Sequence, residues 1–135
     1  MARPERFSYV FDTSAVIAYL AGESGAEQVK SMKSKAALPF MVLSELYYLI
    51  WRRKGKAEAD NTYGLVKSWK LPILIPTEQV ILTAGRLKAL HRLGIADSYI
   101  AAFSFVHGLP LVSKDSDYEI LVPELKLIRL KKLSS

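Results

Sequence analysis

Short apolar runs alternate with longer helix-like segments along nearly the whole chain. The runs at residues 9–12, 72–75, 109–113 and 125–129 have the length and apolar content of strands. Helices are predicted over residues 14–20, 25–34, 39–54, 56–70, 77–93 and 96–107. Strands separated by helices pair through crossover connections, which make neighbouring strands parallel. The pattern therefore predicts an α/β fold whose central parallel sheet has about four or five short strands flanked by helices.

Length and composition suit one folded domain. Half of the 135 residues are hydrophobic, and no repeat or linker divides the chain, so we expect residues 1–135 to form a single domain. Glu45 interrupts the best candidate for the ~18 uncharged residues that a membrane-spanning helix needs. The N-terminal segment lacks the apolar core of a secretory signal. We therefore expect a cytoplasmic protein that makes no membrane contact.

Two acids lie in apolar segments in the first half of the chain. Asp12 closes the first strand-like run, and ligands of open α/β sheets bind outside the carboxyl ends of the strands. The alternative is that Asp12 caps the helix that follows it. Glu45 lies in a segment, residues 41–51, that is apolar almost all round and therefore predicts a buried helix. A buried carboxylate needs a cation, a donor cluster or a metal, whereas a glutamate at a helix edge would need none.

Three further acids occupy similar places in the second half. Asp97 opens a second apolar helix directly after Gly94, where an ordinary helix cap is the alternative. Asp115 and Asp117 follow the strand-like run 109–113, where aspartates are also common turn formers. The residues alone leave open whether Asp115 or Asp117 is the fourth acid.

Together the acids predict a metal site. Three or four carboxylates within a few ångströms repel each other by about 4 kcal/mol per pair at an effective dielectric near 20, so a cation must neutralise them. The chain has no cysteine and two histidines, which leaves hard oxygen ligands. Such ligands favour Mg²⁺ or Mn²⁺.

The order of these motifs resembles that of the PIN-domain nucleases, and of the small VapC-type toxins in particular. FDTSAVIAYL is similar to the opening strand and D-[ST]-[SN] step of that family, and LSELYYLI to its glutamate helix. IADSYIAAFSFVHGLPLVSKDSDYEIL resembles the third acid, the next strand and the last acidic turn. The resemblance spans nearly the whole chain.

The resemblance implies a PIN-like fold and a metal-dependent endoribonuclease. Asp12, Glu45, Asp97 and Asp115 would gather around one or two Mg²⁺ or Mn²⁺ ions. The last acidic turn resembles that of the family better with Asp115 than with Asp117 as the fourth acid, and Asp117 stays open as a further metal ligand. Thr13, Ser14 and Ser113 would orient an aspartate or a bound water. The family also implies a cognate antitoxin as partner and a homodimer.

The basic residues suit a polyanionic partner such as RNA. The net charge is +6, and lysine and arginine attract phosphates. Arg52, Arg53, Lys54 and Lys56 form one candidate RNA contact, although residues there would also complement a helix C-terminus. The second candidate is the terminal group Arg129, Lys131 and Lys132, which could equally be a solvated tail.

The histidines and the aromatic residues allow further interpretations. His91 and His107 lie at predicted helix ends, where capping or a solvated position is the simpler interpretation. Five aromatic residues could stack bases or contact a partner, but core packing is the simpler interpretation for most of them: Tyr47, Tyr48, Trp51, Tyr63 and Trp69.

A non-catalytic PIN-like module that binds RNA or protein is the main alternative function. A phosphotransfer or hydrolase domain with Asp12 as nucleophile is disfavoured because no D-x-D occurs at the Asp12 strand and no glycine-rich phosphate loop is present.

Overall fold

The computed structural model describes residues 6–131 and contains one five-stranded parallel sheet. The elements in chain order are β1 (Tyr9–Phe11), α1 (Thr13–Ala21), α2 (Ala26–Met32), β2 (Ala36–Pro39), α3 (Phe40–Lys54), α4 (Lys56–Ser68), β3 (Ile73–Leu74), α5 (Glu78–Leu90), α6 (Ile95–His107), β4 (Leu111–Ser113) and β5 (Leu127–Arg129). Two 3₁₀ helices, Lys33–Lys35 and Ser116–Leu121, complete the fold. The predicted α/β class and parallel sheet are confirmed.

The sheet order β3-β2-β1-β4-β5 places β1 at the centre. Val10 is paired with Ala37 of β2 on one side and with Leu111 of β4 on the other. The chain therefore builds outward from β1 in one direction through β2 and β3, and then in the other through β4 and β5. A crevice opens outside the carboxyl ends of β1 and β4, where the winding direction reverses.

The central strands are buried on both faces. Val10, Phe11, Leu111 and Val112 have no exposed surface, as expected where helices cover both sides of a parallel sheet. Helices α1 and α6 both end at a glycine in the left-handed region, Gly22 and Gly108, and the backbone N–H of each satisfies carbonyls of the last turn.

The sequence prediction was wrong at three places. It missed strand β2, because residues 36–38 were left unassigned and Pro39 was placed at the start of a helix that begins at Phe40. Helix α5 ends at Leu90 instead of residue 93. Helix α3 was predicted to be buried, but one side of it is exposed, because Tyr48 is 42% exposed and Trp51 is 45% exposed. Within residues 6–131, no helix combines the length and the apolar character needed to cross a membrane.

Candidate metal centre

Asp12 lies at the carboxyl end of β1, and its side chain is buried, with 4% of its surface exposed. It occupies the N-cap position of α1, yet its carboxylate makes no capping hydrogen bond to that helix. Its Oδ2 instead accepts hydrogen bonds from Ser14 Oγ at 2.8 Å and Ser113 Oγ at 2.7 Å. Asp12 therefore occupies the N-cap position without capping the helix through its side chain.

Ser14 and Ser113 tie this carboxylate to β4 and the turn beyond it. The two hydroxyl oxygens lie 3.1 Å apart. Each hydroxyl has one proton to donate to Asp12, while Ser14 Oγ accepts from Lys114 N and Ser113 Oγ accepts from Asp115 N, both at 2.9 Å. The network connects residues about a hundred positions apart in the chain, and it fixes the backbone that presents Asp115.

Tyr118 is the residue at this site that the sequence analysis missed. It lies in the 3₁₀ helix Ser116–Leu121, its side chain is fully buried, and its hydroxyl is 3.2 Å from Asp12 Oδ1 and 3.0 Å from Asp97 Oδ1. The sequence did carry a signal. Tyr118 and Leu121 are three residues apart, which is the spacing of one face of a helical turn, and a tyrosine on a buried face needs a hydrogen-bond partner for its hydroxyl.

Glu45 of α3 is half-buried, and its Oε1 accepts a hydrogen bond from Thr13 Oγ1 at 3.0 Å. Thr13, the first residue of α1, is itself buried. Glu45 therefore lies at the edge of its helix, as the alternative interpretation held, but it still points toward the start of α1.

The structure brings three of the predicted acids closest together. One carboxylate oxygen from each of Asp97, Asp115 and Asp117 lies within 4.8 Å of the other two. Asp97 sits in the first turn of α6 without being its N-cap, which is Gly94. Asp115 caps the 3₁₀ helix, because its Oδ1 accepts from Asp117 N at 2.9 Å. In the described part of the chain, Asp12 and Glu45 are outside this triplet and flank it.

The charges of these acids are mutually unfavourable. Burial, together with the charge of Asp12, raises the pKa of Asp97 to about 6. Burial also raises the pKa of Asp12 against the lowering effect of the Ser113 and Ser14 hydrogen bonds. Burial raises the pKa of Glu45, and the charges of Asp12, Asp97 and Asp115 add to that effect. Among residues 6–131, no lysine or arginine forms an ion pair with any of the five acids.

This donor set fits a divalent cation. Oxygen ligands about 2.1 Å from Mg²⁺ in octahedral geometry lie about 3 to 4 Å from each other, close to the spacing of the triplet. All the candidate ligands are hard carboxylate oxygens that form no ion pair with a lysine or arginine of residues 6–131, which suits Mg²⁺ or Mn²⁺ better than softer metals.

The predicted basic contacts separate into different environments. The Arg52 guanidinium lies 5.0 Å from the centre of the Tyr48 ring, and Lys56 pairs with Asp60 at 2.7 Å. Arg53 and Lys54 belong to the last turn of α3, as the helix-complementing alternative expects. In the second group, Arg129 pairs with Glu119 and donates from Nε to Lys114 O at 3.0 Å. Lys131 is exposed, and Lys132 lies outside the described residues.

Core packing is the wrong interpretation for part of the aromatic group. Tyr48, Trp51 and Tyr63 are exposed, and Tyr47 packs edge-to-face against both Trp51 and Tyr63. Trp69 instead packs against Tyr19 and contributes to the margin of the core. An exposed aromatic surface therefore spans α3 and α4. Elsewhere in the fold, His107 packs edge-to-face against Phe7.

The model of the PIN domain family matches residues 9–121. Solved structures that share the fold include the VapBC2 complex of Rickettsia felis bound to a promoter DNA fragment, at 20% identity and a TM-score of 0.74, with 91% of this chain and 98% of that chain covered. The sarcin-ricin loop cleaving toxin VapC20 of Mycobacterium tuberculosis matches at 18% identity and a TM-score of 0.69, covering 85% and 95% of the two chains. PAE2754 of Pyrobaculum aerophilum matches at 22% identity and a TM-score of 0.66, covering 92% and 90%. No curated protein sequence matches the chain significantly.

Proposed function

The chain belongs to the PIN-domain family, and on that premise we propose that it is a metal-dependent endoribonuclease and the toxin of a VapBC-type pair. The observation that carries the proposal is the set of Asp97, Asp115 and Asp117 oxygens within 4.8 Å of one another, beside the buried Asp12. This set lies where the strand order reverses, which is the usual ligand position of an open parallel sheet.

Each acid has a role in this proposal. Asp97, Asp115 and Asp117 hold the cation, and Asp12 and Glu45 complete its negative surroundings. Ser14 and Ser113 fix the orientation of Asp12 through its Oδ2, and Thr13 fixes Glu45 through Oε1. Such hydrogen bonds to ligand groups are a common means of setting metal affinity.

A bound Mg²⁺ or Mn²⁺ would lower the pKa of a water molecule toward neutrality and neutralise charge on the phosphate under attack. The carboxylates must be ionised to hold the cation, which opposes the raised pKa values of Asp12, Glu45 and Asp97. Activity should therefore increase as these groups lose their protons.

The proposal extends to partners and location. The exposed aromatic surface of α3 and α4, which includes Tyr48, Trp51 and Tyr63, suits a protein partner, because aromatic residues are enriched at such interfaces. We assign this surface to a cognate antitoxin, in keeping with the VapBC complexes that share the fold. A homodimer and a cytoplasmic location belong to the same proposal.

The test is cleavage of a panel of single-stranded and folded RNAs in Mg²⁺, Mn²⁺ or EDTA. The wild type should cleave in either metal, and Asp12→Asn and Asp97→Asn should each lose at least ~100-fold in rate, since each removes a charge from the site. Glu27→Gln, an exposed acid of α2 away from the site, is the matched control and should remain active. Cleavage that survives in both aspartate variants would contradict the proposed site. Metal-dependent RNA binding by the wild type without cleavage would instead support a non-catalytic binding module.

A further inference from the structure

A cavity of about 370 Å³ opens directly beside the acid cluster. Its lining includes Ser14 and Ile17 of α1, Arg53 of α3, and the segment from Lys114 to Ser116. Asp115 and Ser14 therefore belong both to the acidic site and to the wall of this cavity. A volume of this size falls in the range of pockets that hold small-molecule ligands, about 300 to 1,000 Å³, and could hold one nucleotide.

Two cationic side chains line the cavity, and they differ in whether they form an ion pair. Lys114 Nζ is 3.3 Å from Glu23 Oε1, so the positive charge of this lysine is already balanced by a second residue of the wall. Arg53 forms no ion pair or hydrogen bond with any residue between positions 6 and 131. Arg53 is therefore the cation at this wall whose donors are available to a ligand.

The neighbouring basic residues do not share this position. Arg52 stacks on Tyr48, and Lys56 pairs with Asp60, so both have partners outside the cluster of Asp97, Asp115 and Asp117. Lys54 lines a second cavity of about 210 Å³ but not the first. Both cavities are lined by Arg53, Ile17 and Glu23, so Arg53 is the cationic side chain that these two cavities share.

We propose that the cavity between Asp115 and Arg53 binds the RNA nucleotide next to the cleaved phosphodiester, with the Arg53 guanidinium donating to its phosphate. A guanidinium has a planar fork of N–H donors that matches two phosphate oxygens. The inference rests on the proposed ribonuclease function. This subsite gives the substrate a specific position and distinguishes the role of Arg53 from those of the other basic residues of the α3–α4 junction.

The test compares Arg53→Gln with Arg52→Gln, which removes the same charge one residue away. Binding of a short fluorescein-labelled single-stranded RNA is measured by anisotropy in EDTA over about 50 to 200 mM salt. Arg53→Gln should weaken binding about tenfold and reduce the slope of log affinity against log salt by about 0.7, the value for one phosphate contact on a single strand. Arg53→Lys should retain the slope while losing part of the affinity, because it keeps the charge but not the fork. Arg52→Gln should change both quantities much less.

Kinetics distinguish failure of this inference from failure of the ribonuclease proposal. If the wild type cleaves RNA, Arg53→Gln should raise KM about tenfold with little change in kcat, because the lost contact is equally strong in the ground and transition states. Equal losses in Arg52→Gln and Arg53→Gln would mean a diffuse electrostatic effect and would overturn the subsite. An unchanged KM and salt slope in Arg53→Gln would overturn it as well, while leaving the nuclease intact. If the wild type neither binds nor cleaves RNA, the ribonuclease proposal fails and the subsite fails with it.

Discussion

The Tyr118 hydroxyl has one proton and two carboxylate neighbours. It lies 3.2 Å from Asp12 Oδ1 and 3.0 Å from Asp97 Oδ1, so in the ionised site this single proton is shared between two acceptors. The phenol itself stays neutral, because burial and the charges of Asp12 and Asp97 raise its pKa well above the ordinary range. Tyr118 thus holds two repelling acids in fixed orientations without adding a charge.

We predict that Tyr118→Phe lowers the affinity for Mn²⁺ about tenfold, in the lower part of the range seen when a hydrogen-bond partner of a metal ligand is removed. Without the hydroxyl, Asp97 is free to rotate away from Asp12, which Ser14 and Ser113 still hold, and the cation must reorder Asp97 on binding. Isothermal titration calorimetry measures the affinity, and circular dichroism checks that the variant is folded. Tyr63→Phe, which alters an exposed tyrosine of α4, is the control. An affinity for Mn²⁺ equal to that of the wild type would show that Tyr118 only fills space.

At the scale of elements, the sequence predicted most helices and strands but not strand β2. The run Ala36–Pro39 is four residues long and joins α3 directly. Alanine and proline are disfavoured in strands, so local preference argued against this assignment. The strand forms because it lies between β1 and β3, with Ala37 paired to Val10 and Leu38 to Ile73. Such pairing depends on residues far away in the chain.

The site shows the same division between local and distant information. Strand ends and helix starts indicated Asp12, Asp97 and Asp115 as candidates, because those signals are contained in short segments. The partners of Asp12 come from positions 14, 113 and 118, and the grouping of Asp97 with Asp115 and Asp117 depends on where the first turn of α6 lies relative to the segment that follows β4. Only the packed fold brings these groups together.

The glycine that ends α6 supports a prediction at this scale. Gly108 has φ near +65° and leads into β4, whereas Gly85 lies inside α5 with open space at the position of a Cβ. Gly108→Ala should lower the free energy of unfolding by about 1 kcal/mol because alanine is strained in the left-handed region. Gly85→Ala should raise it by about 0.5 to 1 kcal/mol because alanine favours the helix. Urea denaturation measures both, and equal effects of the two substitutions would show that neither backbone conformation matters as described.

At the scale of the whole molecule, a chain with a net charge of +6 contains a cluster of acidic residues with raised pKa values. Asp97 has a pKa of about 6 in the fold against an ordinary value of 3.8, and the pKa values of Asp12 and Glu45 are also raised. The folded protein therefore binds more protons than the unfolded chain between those two values. Without metal, this contribution to stability is present at low pH and is lost as the pH rises through about 6.

We therefore predict that in EDTA the melting temperature of the wild type falls as the pH is raised from about 5 to about 7.5, and that Mg²⁺ recovers more stability at the higher pH. Mg²⁺ stabilises the folded state by mass action, and it competes with protons for the same carboxylates. Asp97→Asn removes one of the repelling charges, so it should melt above the wild type in EDTA near neutral pH and respond less to Mg²⁺. Glu27→Gln, with its acid outside the site, should follow the wild type in both respects. Differential scanning calorimetry over this pH range decides the matter: equal stabilisation by Mg²⁺ in Asp97→Asn and in the wild type would mean that the cation binds somewhere other than this cluster.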